Sequence, residues 1–261
     1  MKRTIRPVVF GVALLAGLAG SAARAHDSWV QTNTNAVDVG QVMHVDLMLG
    51  NHGNHHRDFR LAGKVDPEFA TFDVVTPDGE TLDLKPDLVD LGTESNPGYW
   101  SVRFVPDQAG MHTIAHTYDR VVHYAPLRSV KSAKTYVMAR AEHGNPPQAS
   151  EAFNQPLCHP LELVPQNDPT ALAPGEPLEV RLLFHGEPLA DAHIAFIPRG
   201  HELAGDFDED YEQHTDESGL ATFTPGESNY YLIIAHHTDA TASGEAYDAT
   251  KYSAALVVHL Q

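Results

Sequence analysis

The chain has 261 residues, with 17 Lys and Arg against 35 Asp and Glu, a formal net charge of −18 at pH 7, and 17 histidines. So acidic a surface repels nucleic acid and anionic lipid and attracts cations, which excludes a nucleic-acid partner. The one cysteine, Cys158, excludes an intramolecular disulfide and every multi-cysteine zinc or iron–sulfur site. Any metal must therefore be held by nitrogen and oxygen.

Taken in chain order, residues 1–25 read as a cleavable signal peptide. Lys2, Arg3 and Arg6 form a basic start, Pro7 to Gly20 an apolar core, and Ala23-Arg24-Ala25 the small-x-small cleavage pattern. The apolar core falls short of the about 20 residues a transmembrane helix needs, and no later segment comes close. The expectation is export to the periplasm and a mature chain that starts at His26 without a membrane span. All the histidines lie in that mature part.

Helix signals are nearly absent after residue 25, and short alternating or β-branched runs between turns predict strands. Gln41 to Leu49 alternates. Phe69 to Thr76 turns at Pro77-Asp78-Gly79 and returns through Thr81 to Leu84, a hairpin. Tyr99 to Val105 and His112 to Tyr118 flank Pro106 to Gly110, which reads as a second hairpin, and Lys134 to Ala139 closes the set. Residues 142–160, rich in Pro, Asn and Gln, read as a linker. A second set follows: Leu161 to Val164, Leu178 to Phe184, Ala192 to Ile197, Leu220 to Thr224, Tyr230 to Ala235 and Ser253 to Leu260. The predicted fold class is all-β, with two β-sandwich modules of immunoglobulin-like or transthyretin-like kind in tandem, residues 26–141 and 161–261.

Histidine carries the candidate chemistry, because imidazole is the commonest transition-metal ligand. Cleavage before His26 would free an α-amine beside an imidazole, a two-nitrogen chelate that suits Cu(II) or Ni(II), and Asp27 could add an oxygen or steer the ring. His52, His55 and His56 lie in Asn51-His-Gly-Asn-His-His56, a loop after the Gln41–Leu49 strand that could wrap one ion. His112 and His116 stand four residues apart on a predicted strand, about 13 Å, so they cannot share an ion, although one could complete a site from a neighbouring strand. Otherwise each faces solvent. His236 and His237 end a strand and point to opposite faces, so one of them at most is a ligand. His185, His201 and His214, in or near turns, are weaker candidates. Asp206 to Asp210 with Glu217 faintly echoes a calcium loop, but Tyr211 stands where that loop needs Gly. Cys158 reads as a lone, half-buried thiol.

The opening His26-Asp27-Ser28-Trp29 resembles the His-Asp-aromatic start of the proteins grouped as domain of unknown function 4198. Leu161-Glu-Leu-Val-Pro165, Asp168-Pro169, Val180-Arg-Leu-Leu-Phe-His-Gly186, Thr215-Asp-Glu-Ser-Gly219 and the Tyr252–Leu260 strand continue the resemblance in order. That family's members are periplasmic, and some are associated with nickel or cobalt uptake. The resemblance implies a non-enzymatic metal-handling accessory protein that presents Ni, Co, Cu or Zn to a membrane transporter or buffers it, with release as imidazoles protonate below about pH 6. Two alternatives stand beside it: a structural or adhesive module whose histidines are incidental, and a copper histidine-brace oxidative enzyme built on His26.

Overall fold

The computed structural model describes residues 26–51, 57–96, 98–122, 124–141 and 151–261. The signal segment, the His52, His55 and His56 triplet and the start of the expected linker lie outside the described residues. The fold is all-β. In chain order the strands are β1 (Asp27–Thr32), β2 (Ala36–Asp38), β3 (Met43–Gly50), β4 (Leu61–Gly63), β5 (Ala70–Val75), β6 (Thr81–Asp83), β7 (Val89–Asp90), β8 (Trp100–Phe104) and β9 (Gly110–Val121). They continue with β10 (Leu127–Arg140), β11 (Leu161–Pro165), β12 (Leu178–Phe184), β13 (Glu187–Pro188), β14 (His193–Pro198), β15 (Glu212–His214), β16 (Leu220–Phe223), β17 (Tyr230–Asp239) and β18 (Ala249–His259).

Among the described residues these strands form three sheets. One runs β1-β3-β8-β7, with β4 on β3; another runs β11-β12-β13, with β16 on β12. Between them lies a nine-stranded sheet in the order β15-β14-β17-β18-β10-β9-β5-β6, with β2 on β10. Its two faces feed two cores. Ile114, Ala133, Val137, Leu232, Ile234 and Val257 join Trp29, Val45, Leu47 and Val102 in one. Val130, Tyr136, Ile233, Leu256 and Val258 join Leu161, Leu163, Val180 and Leu182 in the other. A strand buried on both faces has no reason to alternate, which is why Tyr230 to Ala235 and Ala254 to Val258 read as unbroken apolar runs.

The tandem arrangement expected from sequence is not confirmed. β10 pairs in parallel with β18 over Leu127–Thr135 and Ala249–Val257, so the middle sheet is continuous across both halves of the chain. A buried ion pair adds a second link: Lys134 Nζ on β10 lies 2.7 Å from Glu162 Oε1 on β11, each side chain 2% exposed. The backbone N–H groups of Leu157 and His159 also donate to the Glu162 carboxylate, at 2.7 and 3.0 Å.

The hairpin expected over Phe69 to Leu84 forms as β5 and β6, with Val75 opposite Thr81 and Phe69 left in a short 3-10 turn ahead of it. Pro106 to Gly110 does not close a hairpin. β8 pairs with β3 and β7, whereas β9 pairs with β5 and β10, so this turn carries the chain from an outer sheet to the middle one. The connection holds no local signal that separates crossing from returning, because both need the same turn residues.

Since the sheet is shared, calorimetry is expected to show one cooperative unfolding transition, and two resolved transitions would mean that the halves fold independently. Glu162→Gln leaves the Lys134 ammonium buried without its counter-charge. It should cost about 3–5 kcal/mol in urea unfolding, with much of the loss recovered when Lys134→Met is added.

Candidate functional site

β1 begins at Asp27 on the edge of its sheet and packs against β10 and β18 of the middle sheet. All six of its side chains are buried, so even the polar ones need partners. Asp27, 1% exposed, accepts a hydrogen bond from His236 Nε2 at 2.9 Å and another from Asn51 Nδ2 at 3.2 Å. Asn51 is itself fully buried with φ of 59°, a left-handed conformation that Asn tolerates, and its side-chain oxygen accepts from the Asp58 N–H at 2.7 Å. The carboxylate can only accept, so Nε2 of His236 carries the proton of this hydrogen bond.

His236 has company that spacing along the chain did not reveal. One step beyond the Ile194–Ala235 pair, the register sets His193 beside His236, and His193 is itself paired with His214. Cross-strand partners share a face. Three imidazoles thus stand in a row across β17, β14 and β15, with His193 and His214 ring centroids 5.8 Å apart. His193 Nε2 lies 3.1 Å from Glu212 Oε1, whose side chain is fully buried and whose other oxygen is held by Arg57 and by the Asp208 N–H. Burial lowers the His193 pKa, against the opposing pull of Glu212, so this ring is neutral at neutral pH. His193 and His236 are 44% and 45% exposed at the side chain, each with one nitrogen directed at a buried carboxylate. His237, the next residue, faces the other core and lies against Phe184 at 4.4 Å, as strand alternation requires. Among the described residues no three His, Cys, Asp or Glu side chains converge at metal-ligand distance.

Neither His112 nor His116 faces solvent, contrary to that expectation: they are 1% and 0% exposed. β9 belongs to the middle sheet, so both its faces are covered. His116 Nδ1 lies 2.8 Å from the Thr71 carbonyl and must donate to it, which makes Nε2 the acceptor for Ser28 Oγ at 2.9 Å. Both ring nitrogens are thereby used within the protein. His112 Nδ1 donates to the Gly110 carbonyl at 3.2 Å and its ring meets Phe104 edge-on at 5.8 Å. The segment from Asp206 to Glu217 is no calcium loop: strand β15 runs through it, and the Asp208 carboxylate accepts from the N–H groups of Ala204 and Asp210. Cys158 is exposed rather than half-buried and stands at φ of 63°.

His26, partly buried, precedes Asp27, and its carbonyl accepts from the Lys131 ammonium on β10. Burial pushes the Lys131 pKa down, and the nearby Asp27 carboxylate pulls the other way. Of the residues expected from sequence, the structure thus brings together Asp27 and His236, while His26 lines the cavity beside the start of β1. It adds His193, His214, Glu212 and Lys131, which no local motif marks.

Fold and site together define a three-layer β protein with a histidine row oriented by two buried carboxylates. The chain belongs to the family described as domain of unknown function (DUF4198), whose model matches residues 23–239. No curated protein matches it. Among solved structures it is similar to a DUF4785 family protein from Legionella pneumophila, at 11% identity and a TM-score of 0.30, over 79% of this chain and 52% of that one. It is also similar to the Yersinia pseudotuberculosis adhesin InvE, at 12% identity and a TM-score of 0.25, over 91% and 61%. A third similarity is to the N-terminal Ig1-2 module of the Drosophila receptor protein tyrosine phosphatase DLAR, at 11% and 0.27, over 88% and 99%. The chain spans about half the length of the Legionella protein.

Burial holds His116 neutral, lowering its pKa to about 4. In the unfolded chain it takes its proton near the ordinary histidine value, so stability is whole above that value and drains away as pH falls toward 4. The expected slope in that window reaches about 1.4 kcal/mol per pH unit from this one ring. Urea unfolding between pH 7 and pH 4 should show it, and His116→Gln, which does not titrate, should flatten the curve by that amount.

Proposed function

We propose that the protein is an extracytoplasmic accessory that binds a divalent transition metal for uptake or buffering, with its site on the exposed face formed by His26, Asp27, His236, His193 and His214. The observation that carries this reading is the pairing of Asp27 with His236 and of Glu212 with His193. A buried carboxylate that fixes an imidazole's tautomer is the usual support behind a metal-ligating histidine. Opposite residues on antiparallel strands have Cβ atoms about 4.5–5.5 Å apart, so neighbouring imidazoles in the row can reach one ion with modest rotation. The donor set, all nitrogen and oxygen, fits Ni²⁺, Co²⁺, Cu²⁺ or Zn²⁺. Asp27 remains an orienting group, since hydrogen bonds occupy it, and so does Glu212, whose other oxygen is held by Arg57 and the Asp208 N–H. His26 would add its imidazole and, once freed, its α-amine. The family resemblance to proteins associated with nickel and cobalt uptake supports the same reading, as does the net negative charge, which raises the local cation concentration.

Calorimetric titration of the chain beginning at His26 with each of the four ions tests the proposal. Near-stoichiometric binding is expected, weakened about 10–100-fold by Asp27→Asn and at least as much by His236→Ala or His193→Ala. One extra residue ahead of His26 should weaken it too, and His185→Ala should leave it unchanged. Binding that survives all these changes, or that His185→Ala reduces equally, would overturn the site; no stoichiometric binding at all would leave a structural module.

A further inference from the structure

A cavity of about 330 Å³ opens between the middle sheet and the β1 sheet, beside the start of β1. Its wall on the middle sheet follows from register. Tyr118 of β9 stands opposite Lys131 of β10, and Arg120 opposite Ser129, so these four side chains share one face as a two-by-two block. Lys64 approaches from the other side. In a chain with twice as many acidic as basic residues, three bases thus line one cavity whose lining includes a single carboxylate, Asp66.

The three bases are not equivalent. Lys64 reaches Asp90 at 2.5 Å, and Arg120 lies over the Phe69 ring at 4.4 Å with Asp66 at 3.7 Å. Both are partly exposed, at 26% of the side chain, and so stand at the rim. Lys131 is 7% exposed and forms the floor. Among the described residues its ammonium donates only to the His26 carbonyl and has no carboxylate within salt-bridge reach; Asp27 acts on it through space while bonded to His236 and Asn51. An ammonium has three N–H donors, and burying it with one of them used is costly unless a further acceptor arrives. Leu49, Val65 and Val122 supply the apolar part of the lining, beside the Tyr124 ring and the polar His26 and Ser28.

A polar floor with an apolar wall selects an anion that carries a hydrocarbon body. A cavity of this size lies at the small end of ligand pockets, which run from about 300 to 1,000 Å³. We propose that it binds a small organic carboxylate, the head group held by Lys131 and Arg120 and the body packed on Leu49, Val65 and Val122. The cavity shares His26 with the proposed metal site, but neither cation belongs to the histidine row, so carboxylate binding by the metal-free chain tests it independently.

The test is calorimetry and thermal shift on the chain beginning at His26, freed of metal on a chelating resin, with benzoate, its neutral analogue benzamide, and inorganic phosphate. Benzoate should bind saturably at one equivalent and raise the melting temperature, while benzamide and phosphate bind far more weakly. Loss of a charge-assisted hydrogen bond in Arg120→Gln or Lys131→Met should weaken benzoate at least about tenfold. Lys131→Met alters a buried strand, so if that variant misfolds the rim variant Arg120→Gln, melting as the parent does, decides the outcome. Absence of benzoate binding, equal binding of benzamide, or an Arg120→Gln variant that binds like the parent would overturn the proposal. Phosphate binding as tight as benzoate would overturn the carboxylate assignment.

Discussion

The parallel pairing of β10 with β18 is the contact on which the rest of the molecule depends. It joins strands that lie more than a hundred residues apart and makes one sheet out of two halves. Because the sheet is then covered on both sides, each of its central strands must satisfy two cores at once. β17 and β18 do so with continuous apolar residues, and the outer sheets need only one apolar face each. Parallel strands are rarely exposed for the same reason: their connections lay other elements over both faces.

β10 meets this demand differently. Its sequence from Arg128 to Thr135 is mostly polar, yet Ser129 to Val137 are all buried. Alternation sends Lys131 and Ser129 toward the β1 sheet and Lys134 and Ser132 toward β11. Three of these buried hydrophilic groups commit a partner: Lys134 takes Glu162, Ser132 the Leu161 carbonyl, Lys131 the His26 carbonyl. These bonds cost desolvation but specify how the layers register, since a slip of one residue would strand two ammonium groups among apolar side chains. They also tie the start of β1 to the centre of the sheet, which is why the candidate histidines and the basic cavity lie on either side of the same strand end.

The candidate site illustrates how a sheet assembles chemistry that a chain disperses. His193, His214 and His236 are separated by 21 and 22 positions, and each alone looks like a surface histidine. Cross-strand register makes them neighbours, and Asp27 and Glu212, buried and already hydrogen-bonded, set the ring orientation. His116 went the other way. It resembled a ligand by type, but the fold placed it in the middle layer with both nitrogens engaged by Thr71 and Ser28.

Strand positions were largely legible in the residues, because turn chemistry such as Pro77-Asp78-Gly79 and runs such as Leu178 to Phe184 act locally. The all-β class, the family and the opposite orientations of His236 and His237 were legible on the same grounds. What strand pairs with what was not. The Pro106–Gly110 turn looks the same whether it returns along one sheet or crosses to another, and the parallel β10–β18 ladder has no motif. Sequence alone therefore determined the class, the strand list and His26, Asp27 and His236 as candidates. Only the tertiary structure decided the shared sheet, the burial of His112 and His116, and the meetings of His236 with Asp27, His193 with Glu212 and Lys131 with the start of β1. Backbone pairing between distant strands is chosen by the burial of whole faces rather than by any local signal.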